Sequence, residues 1–186
     1  MRLILICGFF WSSLSLGDSP ALPVSYAVES ENEKYIFVML SPLSKEQELS
    51  SLNAEWGEKT SKIRNKYSVS GMYPKDGSSE LMWGVSWYAH SIEIANDGEL
   101  IVRAGPWASS FDDEAVTFIK RGEVLKSYKI KELVKKKRKV ERTVSHFFWR
   151  DETLFDRKQL KYYISTLDSK HYIFNVGDGE IIAGTK

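Results

Sequence analysis

The sequence predicts a mainly β, single-domain fold: an antiparallel meander arranged as one sheet or a sandwich, with one or two short helices set into it. Three observations lead there. Apolar and aromatic residues alternate at period two over much of the chain, the spacing of strands with one buried face. Gly98, Gly122 and Gly179 each end one such stretch, and a Glu-apolar-apolar triplet opens the next: Glu99-Leu100-Ile101, Glu123-Val124-Leu125 and Glu180-Ile181-Ile182. Glycine supplies the positive φ that a tight hairpin needs. The 9 Tyr, 9 Phe and 6 Trp among 186 residues favour packed strands over disorder.

From the N-terminus, Arg2 precedes an apolar run over residues 3–16 whose only polar members are serines, and Ser15 and Gly17 place small side chains where a signal peptidase reads. Residues 1–17 therefore read as a secretory signal and 18–186 as the exported domain, with a cut behind Ala21 as the alternative. The run falls short of the roughly 20 apolar residues of a spanning helix. No later stretch approaches that length, so the mature chain is expected to carry no transmembrane segment and to be periplasmic or secreted.

Export sets the available chemistry. The 1 cysteine, Cys7, leaves with the signal, and with it any thiol nucleophile, zinc-thiolate site or disulfide. The core must come from packing alone. Removing Arg2 from 26 basic residues leaves 25, equal to the 25 acidic ones, so net charge points to no partner.

Residues 24–28 and 35–40 read as a hairpin. In residues 43–64, Leu49, Leu52 and Trp56 share a helical face and Gly57 is the expected stop, giving one or two short helices. Lys75-Asp76-Gly77 is a turn, and residues 81–95 read as one long strand with Trp83, Val85 and Trp87 on a common face. Asn96-Asp97-Gly98 reverses the chain. Ile92 and Ile94, answered by Leu100, Val102 and Ala104, predict one buried and one wetter face. Ile130, Leu133 and Val134 have helical spacing, which predicts a short amphipathic helix over about 129–139.

That helix would carry Lys135, Lys136, Lys137, Arg138 and Lys139 as its solvated face. In a cytosolic protein the run would read as a nuclear-localisation or nucleic-acid patch. An exported chain leaves no nucleic-acid partner, and contact with an anionic envelope surface is the alternative to simple solvation.

The hairpins in residues 91–105 and 170–182 resemble blades of a β-propeller of the WD or quinoprotein type. A closed propeller needs at least about four blades of four strands and the chain supplies about two, so the resemblance implies a propeller-like sheet without closure. Met39-Leu40-Ser41-Pro42, Trp83 with Trp87-Tyr88, Gly105-Pro106-Trp107, Ala115-Val116-Thr117-Phe118 leading to Ser127-Tyr128 and Leu133-Val134, and Ser145-His146-Phe147 with Trp149 form a second succession. It resembles a group of small exported bacterial proteins without an assigned activity. The resemblance implies export and a single domain and carries no site residues.

Catalytic signatures are missing: no Gly-x-Ser-x-Gly elbow, His-x-x-x-His pair, phosphate-binding glycine loop or calcium loop. The chain is accordingly expected not to be an enzyme and to use no cofactor. His90, His146 and His171 are too scattered to predict a metal site, and His171 is expected opposite Tyr172 and Phe174. Asp112 and Asp113, with Glu114, follow an expected loop, where paired carboxylates would serve a hydrolase and Asp112 would otherwise cap backbone N–H groups. Among the aromatics, Trp107 beside Pro106 is the expected exposed ring. Trp107, Asp112, Asp113, His146 and Trp149 are thus the candidate ligand-binding residues. The expected function is a non-catalytic exported domain that binds a protein or envelope polymer; a carbohydrate- or peptide-binding module is the alternative, and a hydrolase the last.

Overall fold

Each strand pairs with its neighbours in sequence, so the chain builds its sheets one after another. The computed structural model describes residues 21–105 and 107–184; the expected signal, with Cys7, Ser15 and Gly17, lies outside them. Strand occupies 39% and helix 16%, a mainly β protein. The first sheet runs β1 (Tyr26–Glu29), β2 (Tyr35–Met39), β3 (Gly71–Pro74), β4 (Trp83–Gly84). The second runs β5 (Ile92–Ile94), β6 (Leu100–Ala104), β7 (Glu114–Lys120), β8 (Glu123–Lys129). A small hairpin, β9 (Glu141–Arg142) with β10 (Phe147–Phe148), precedes the third sheet: β11 (Arg150–Asp156), β12 (Lys161–Thr166), β13 (His171–Asn175), β14 (Ile181–Gly184). Three four-stranded meanders thus stand where about two such units were expected from the rule of four strands per blade. Strands that the sequence hides help make up the extra one: β3, which returns to β2 after a helical insertion, and β11, whose charged residues mask its strand character.

The middle sheet is covered on both faces, which corrects the expectation of one wetter face. Ile94 lies opposite Ile101 and Glu93 opposite Val102, so Ile92, Ile94, Ile101 and Ile119 face the first sheet with Phe37, Met39 and Met72. Leu100, Val102, Val116 and Phe118 face the third with Phe155, Tyr162, Ile164 and Phe174. Ile92 and Ile94 therefore do not share a face with Leu100 and Val102. Hydrogen bonds tie the sheets: Trp83 Nε1 donates to Gly98 O at 2.8 Å, Tyr128 Oη to Gly179 O at 2.9 Å, and Tyr172 Oη to Leu133 O at 2.7 Å. Arg157, just after β11, donates from Nε to Ile94 O at 3.0 Å and meets Glu93 at 3.2 Å and Glu31 at 3.5 Å. One guanidinium thereby joins the first strands of two sheets to the first turn of the other.

The expected long strand at 81–95 is broken. β4 and β5 belong to different sheets, and the segment between them crosses from one to the other, held by side chains rather than a ladder. Tyr88 Oη accepts from Val24 N and donates to Val24 O, both at 3.0 Å, and Tyr26 Oη donates to Ala89 O at 2.8 Å. Trp83, Val85 and Trp87 still pack, partly buried, on one core.

Two helices fill the insertion, α1 (Lys45–Ser50) and α2 (Ala54–Lys66). Gly57 does not stop a helix; it lies in the first turn of α2, which the Asn53 side chain caps by accepting from Trp56 N at 3.0 Å. A strong cap outweighs the cost of roughly 1 kcal/mol for one helical glycine. Fully buried Glu48 fixes the pair to the sheet: it accepts from Ser25 N, from Ser25 Oγ at 2.9 Å and from Arg64 Nε at 2.5 Å.

The helix expected over 129–139 is only α3 (Ile130–Leu133), followed by a 3-10 turn, Lys137–Lys139. Asp168 explains the break. Its Oδ2 accepts from Lys135 N at 2.8 Å and Lys136 N at 2.7 Å, and Thr166 Oγ1 donates to its Oδ1 at 2.6 Å, a competing use for backbone N–H groups that a longer helix would have needed. Burial pushes the Asp168 carboxyl up, but the Thr166 hydroxyl and the Lys136 and Lys135 N–H groups outweigh it and hold it below the usual range.

The three hairpin glycines have φ of 72° (Gly98), 87° (Gly122) and 76° (Gly179). A Cβ on Gly179 would lie 2.4 Å from Lys126 Cβ and 3.0 Å from Phe118 Cδ2, whereas Gly77, at φ 94°, has nothing within 4 Å. Gly77→Ala should therefore cost the backbone term alone, about 1 kcal/mol, and Gly179→Ala distinctly more in urea denaturation; equal losses would sink the packing of this turn. Asp168→Ala should lose about 2 kcal/mol at pH 7. Because the folded carboxyl is depressed, its contribution is complete above the unfolded value of about 4 and fades as pH falls through the folded value. The gap between wild type and variant should shrink below about pH 4; a gap that persists into strong acid would contradict the ionic role.

Candidate functional site

Along β6 the side chains facing the third sheet shrink from Leu100 and Val102 to Ala104, and Gly105 and Ala108 follow. A cavity of about 710 Å³ opens there, within the usual size range of ligand pockets. One wall is β5 and β6 with the crossing segment, including Tyr88, His90 and Glu93; the opposite wall is His146 through Arg150, with Thr153 and Tyr162. Ala21, Leu22 and Val24 line it as well.

Backbone contacts fix the loop that carries Trp107. Gly105 N donates to Ala115 O at 3.0 Å, and a Cβ at Gly105 would stand 1.7 Å from Glu114 O, so only glycine allows this approach. Phe147 N donates to Ala108 O at 2.9 Å, joining the β9–β10 hairpin to the same loop. Trp107 and His146 then meet with ring centroids 3.8 Å apart at 44°, and His146 meets Phe148 at 4.7 Å and 77°. Thr143 Oγ1 lies 2.7 Å from His146 Nδ1 and Thr143 N donates to His146 O at 2.9 Å, so the imidazole is held from behind. The result is a row of three rings set at angles to one another.

The polar groups are few. Glu93 is the sole carboxylate lining the cavity among the described residues, and Arg157 pairs with it. Burial first, and then the Glu93 charge, push the Tyr162 phenol up to about 12; it stays neutral and can donate. Burial likewise raises the Tyr88 phenol, offset in part by its bond to Val24 O. Arg150 stacks its guanidinium 5.3 Å from the Trp149 ring centre. Such walls suit an apolar or ring-bearing ligand with a small number of oriented polar contacts.

The structure brings Trp107, His146 and Trp149 to this cavity and leaves Asp112 and Asp113 outside it. Trp107 is half-buried rather than an exposed ring, and its Nε1, shielded from solvent, has no hydrogen-bond partner among the described residues. The exposed ring of the row is Phe148, at 52%. Trp149 is a core residue, 4% exposed. Asp112 lies beside Lys131 Nζ at 2.5 Å and Lys129 Nζ at 3.8 Å, and the Lys131 hydrogen bond and charge hold its carboxyl low. The capping expected of Asp112 belongs to Asp113, whose Oδ2 accepts from Ser109 N and Ser110 N, both at 2.8 Å. Spacing could not separate two adjacent aspartates. His90 also lines the cavity, while His171 lies on the exposed side of β13, opposite buried Tyr172 and Phe174. Among the described residues no cluster of three His, Cys, Asp or Glu side chains could hold a metal ion.

Sequence reading missed Glu93, Arg150 and Tyr162 as lining residues. Their one local signal is alternation: Glu93 between Ile92 and Ile94, and Tyr162 two before Ile164. No protein-family model matches the chain, and no curated protein matches it.

Proposed function

We propose that this chain is an exported, non-catalytic binding domain and that its cavity takes an extended peptide segment bearing an apolar or aromatic side chain. The observation that carries the reading is the angled row of Trp107, His146 and Phe148 over a cavity of about 710 Å³. A sugar platform would want rings closer to coplanar, and tilted rings instead form a socket for a side chain. β5 and β11, which contribute to opposite walls, are each the end strand of a sheet, the position at which extended peptides are commonly recognised. A two-carboxylate hydrolase is disfavoured because Glu93 is already paired with Arg157 and the Asp112 and Asp113 pair lies elsewhere.

Export rests on the Arg2, apolar-run, Ser15 and Gly17 pattern, and the resemblance to small exported bacterial proteins agrees with it. The propeller-like reading is supported by three consecutive four-stranded meanders and by Arg157 linking Ile94, Glu93 and Glu31. It is an open arrangement, below the roughly four blades of a closed ring.

Two measurements test this. N-terminal sequencing of the protein recovered outside the cytoplasm should begin at Asp18 or Leu22; an intact Met1 form as the exported species would defeat the export argument. Panning a random peptide library on the purified protein should enrich sequences with an aromatic or large aliphatic residue at a fixed place. Phe148→Ser should weaken the enriched peptide by about tenfold, the equivalent of roughly 1.4 kcal/mol, with little change in melting temperature because the ring is half exposed. Undiminished binding to that variant, or enrichment on a glycan array instead, would overturn the peptide reading.

A further inference from the structure

The β9–β10 hairpin has a second face, away from the row of rings. Between Lys135 and Arg142 the chain carries six basic residues and one acidic residue, Glu141. All five side chains of the 135–139 run are exposed, and none takes part in an ion pair among the described residues. The nearby acids have their nearest contacts elsewhere or with the backbone of the run, although Lys137 also lies close enough to lower the Asp112 carboxyl. Asp112 is engaged by Lys131 and Lys129, Glu132 accepts from Lys129 N at 2.7 Å, and Asp168 is buried beneath the run.

Part of the run is also held in place. Asp168 pins the backbone of Lys135 and Lys136. Lys137 Nζ sits 4.8 Å from the centre of the Phe111 ring, Phe111 stacks on Phe147 at 4.6 Å and 27°, and Arg142 lies 5.6 Å over Phe147. One aromatic support therefore underlies both the run and the hairpin. At the hairpin tip Val144, two residues after Arg142, is 96% exposed, an apolar side chain in solvent.

We propose that this face docks the protein on an anionic lipid surface, with the basic run against the headgroups and Val144 entering the interfacial layer. Charge complementarity alone would suit any polyanion. The apolar tip decides for lipid, because it gains only where an apolar medium lies just behind the negative charge. The proposal does not depend on what the cavity binds.

Co-sedimentation of the purified protein with vesicles tests it. Binding is expected to vesicles of equal parts phosphatidylcholine and phosphatidylglycerol and not to phosphatidylcholine alone, weakening by about tenfold or more from low to physiological salt as exposed charges are screened. Replacing the five residues of the run by glutamine should abolish binding. Val144→Ser should weaken vesicle binding several-fold, by roughly the transfer value of a small aliphatic group, and leave binding to soluble inorganic polyphosphate unchanged. Since Val144 touches little, this variant keeps the test decisive if the glutamine variant fails to fold. Retained binding after glutamine replacement, equal binding to neutral vesicles, or indifference of vesicle binding to Val144→Ser would each overturn the proposal; the last with strong polyphosphate binding would reassign the face to a soluble polyanion.

Discussion

Everything else in the molecule depends on the two-sided burial of β6 and β7. In β7 the side chains of Val116 and Phe118 enter the core shared with the third sheet, and Ile119 enters the core shared with the first. β6 repeats the split with Val102 on one side and Ile101 on the other. Thr117, fully buried within the strand, is tolerated because its hydroxyl donates to Ser127 Oγ at 2.7 Å. With no cysteine among the described residues, cohesion between the sheets rests on these side chains and the few hydrogen bonds that bridge them. The cavity follows from the same arrangement: two sheets that are packed at Val102 part where β6 ends in small residues, and the rings of the β9–β10 hairpin roof the gap.

The hairpin is small yet governs both candidate surfaces. Its two-residue strands cannot stand alone, and Phe147, 3% exposed and stacked on Phe111, anchors it. Phe148, half exposed, stands open to the cavity that Phe147 lines from its buried position, while Arg142, directly opposite Phe147 in register, lies over the anchoring rings. A domain resting on a surface through Val144 and the basic run would hold the cavity near that surface. Peptide capture and surface docking would then be neighbouring properties of one rigid element.

What the sequence made legible was local. Alternation and the Gly98, Gly122 and Gly179 turns sufficed for the strands and hairpins that those residues form. Faces were harder, because Leu100-Ile101-Val102 is a continuous apolar run and Ala115 through Ile119 is broken only by Thr117, and such a run records burial on both sides without saying which residue goes to which. The crossing segment at 85–91 was unreadable for a different reason: it is held by the Tyr88 hydroxyl against Val24 and the Tyr26 hydroxyl against Ala89, partners more than sixty positions away. The same holds for the end of α3, set by Asp168. At the site, Trp107 and His146 were nameable as residue types, but their stacking depends on Gly105 fitting against Glu114 O, which no spacing encodes.

Trp107 carries the sharpest conflict between stability and use. A buried indole N–H without a partner costs on the order of 1–3 kcal/mol, and a phenylalanine would fill much of the same space without that penalty. Natural sequences accept such local inconsistency chiefly where a side chain serves something other than the fold. Of the three buried polar side-chain atoms without a partner among the described residues, Thr60 Oγ1, Ser78 Oγ and Trp107 Nε1, only the last belongs to a residue that lines the cavity. Its ring is also the one that His146 stacks on. The cost is thus located at the row of rings, in a residue that lines the cavity.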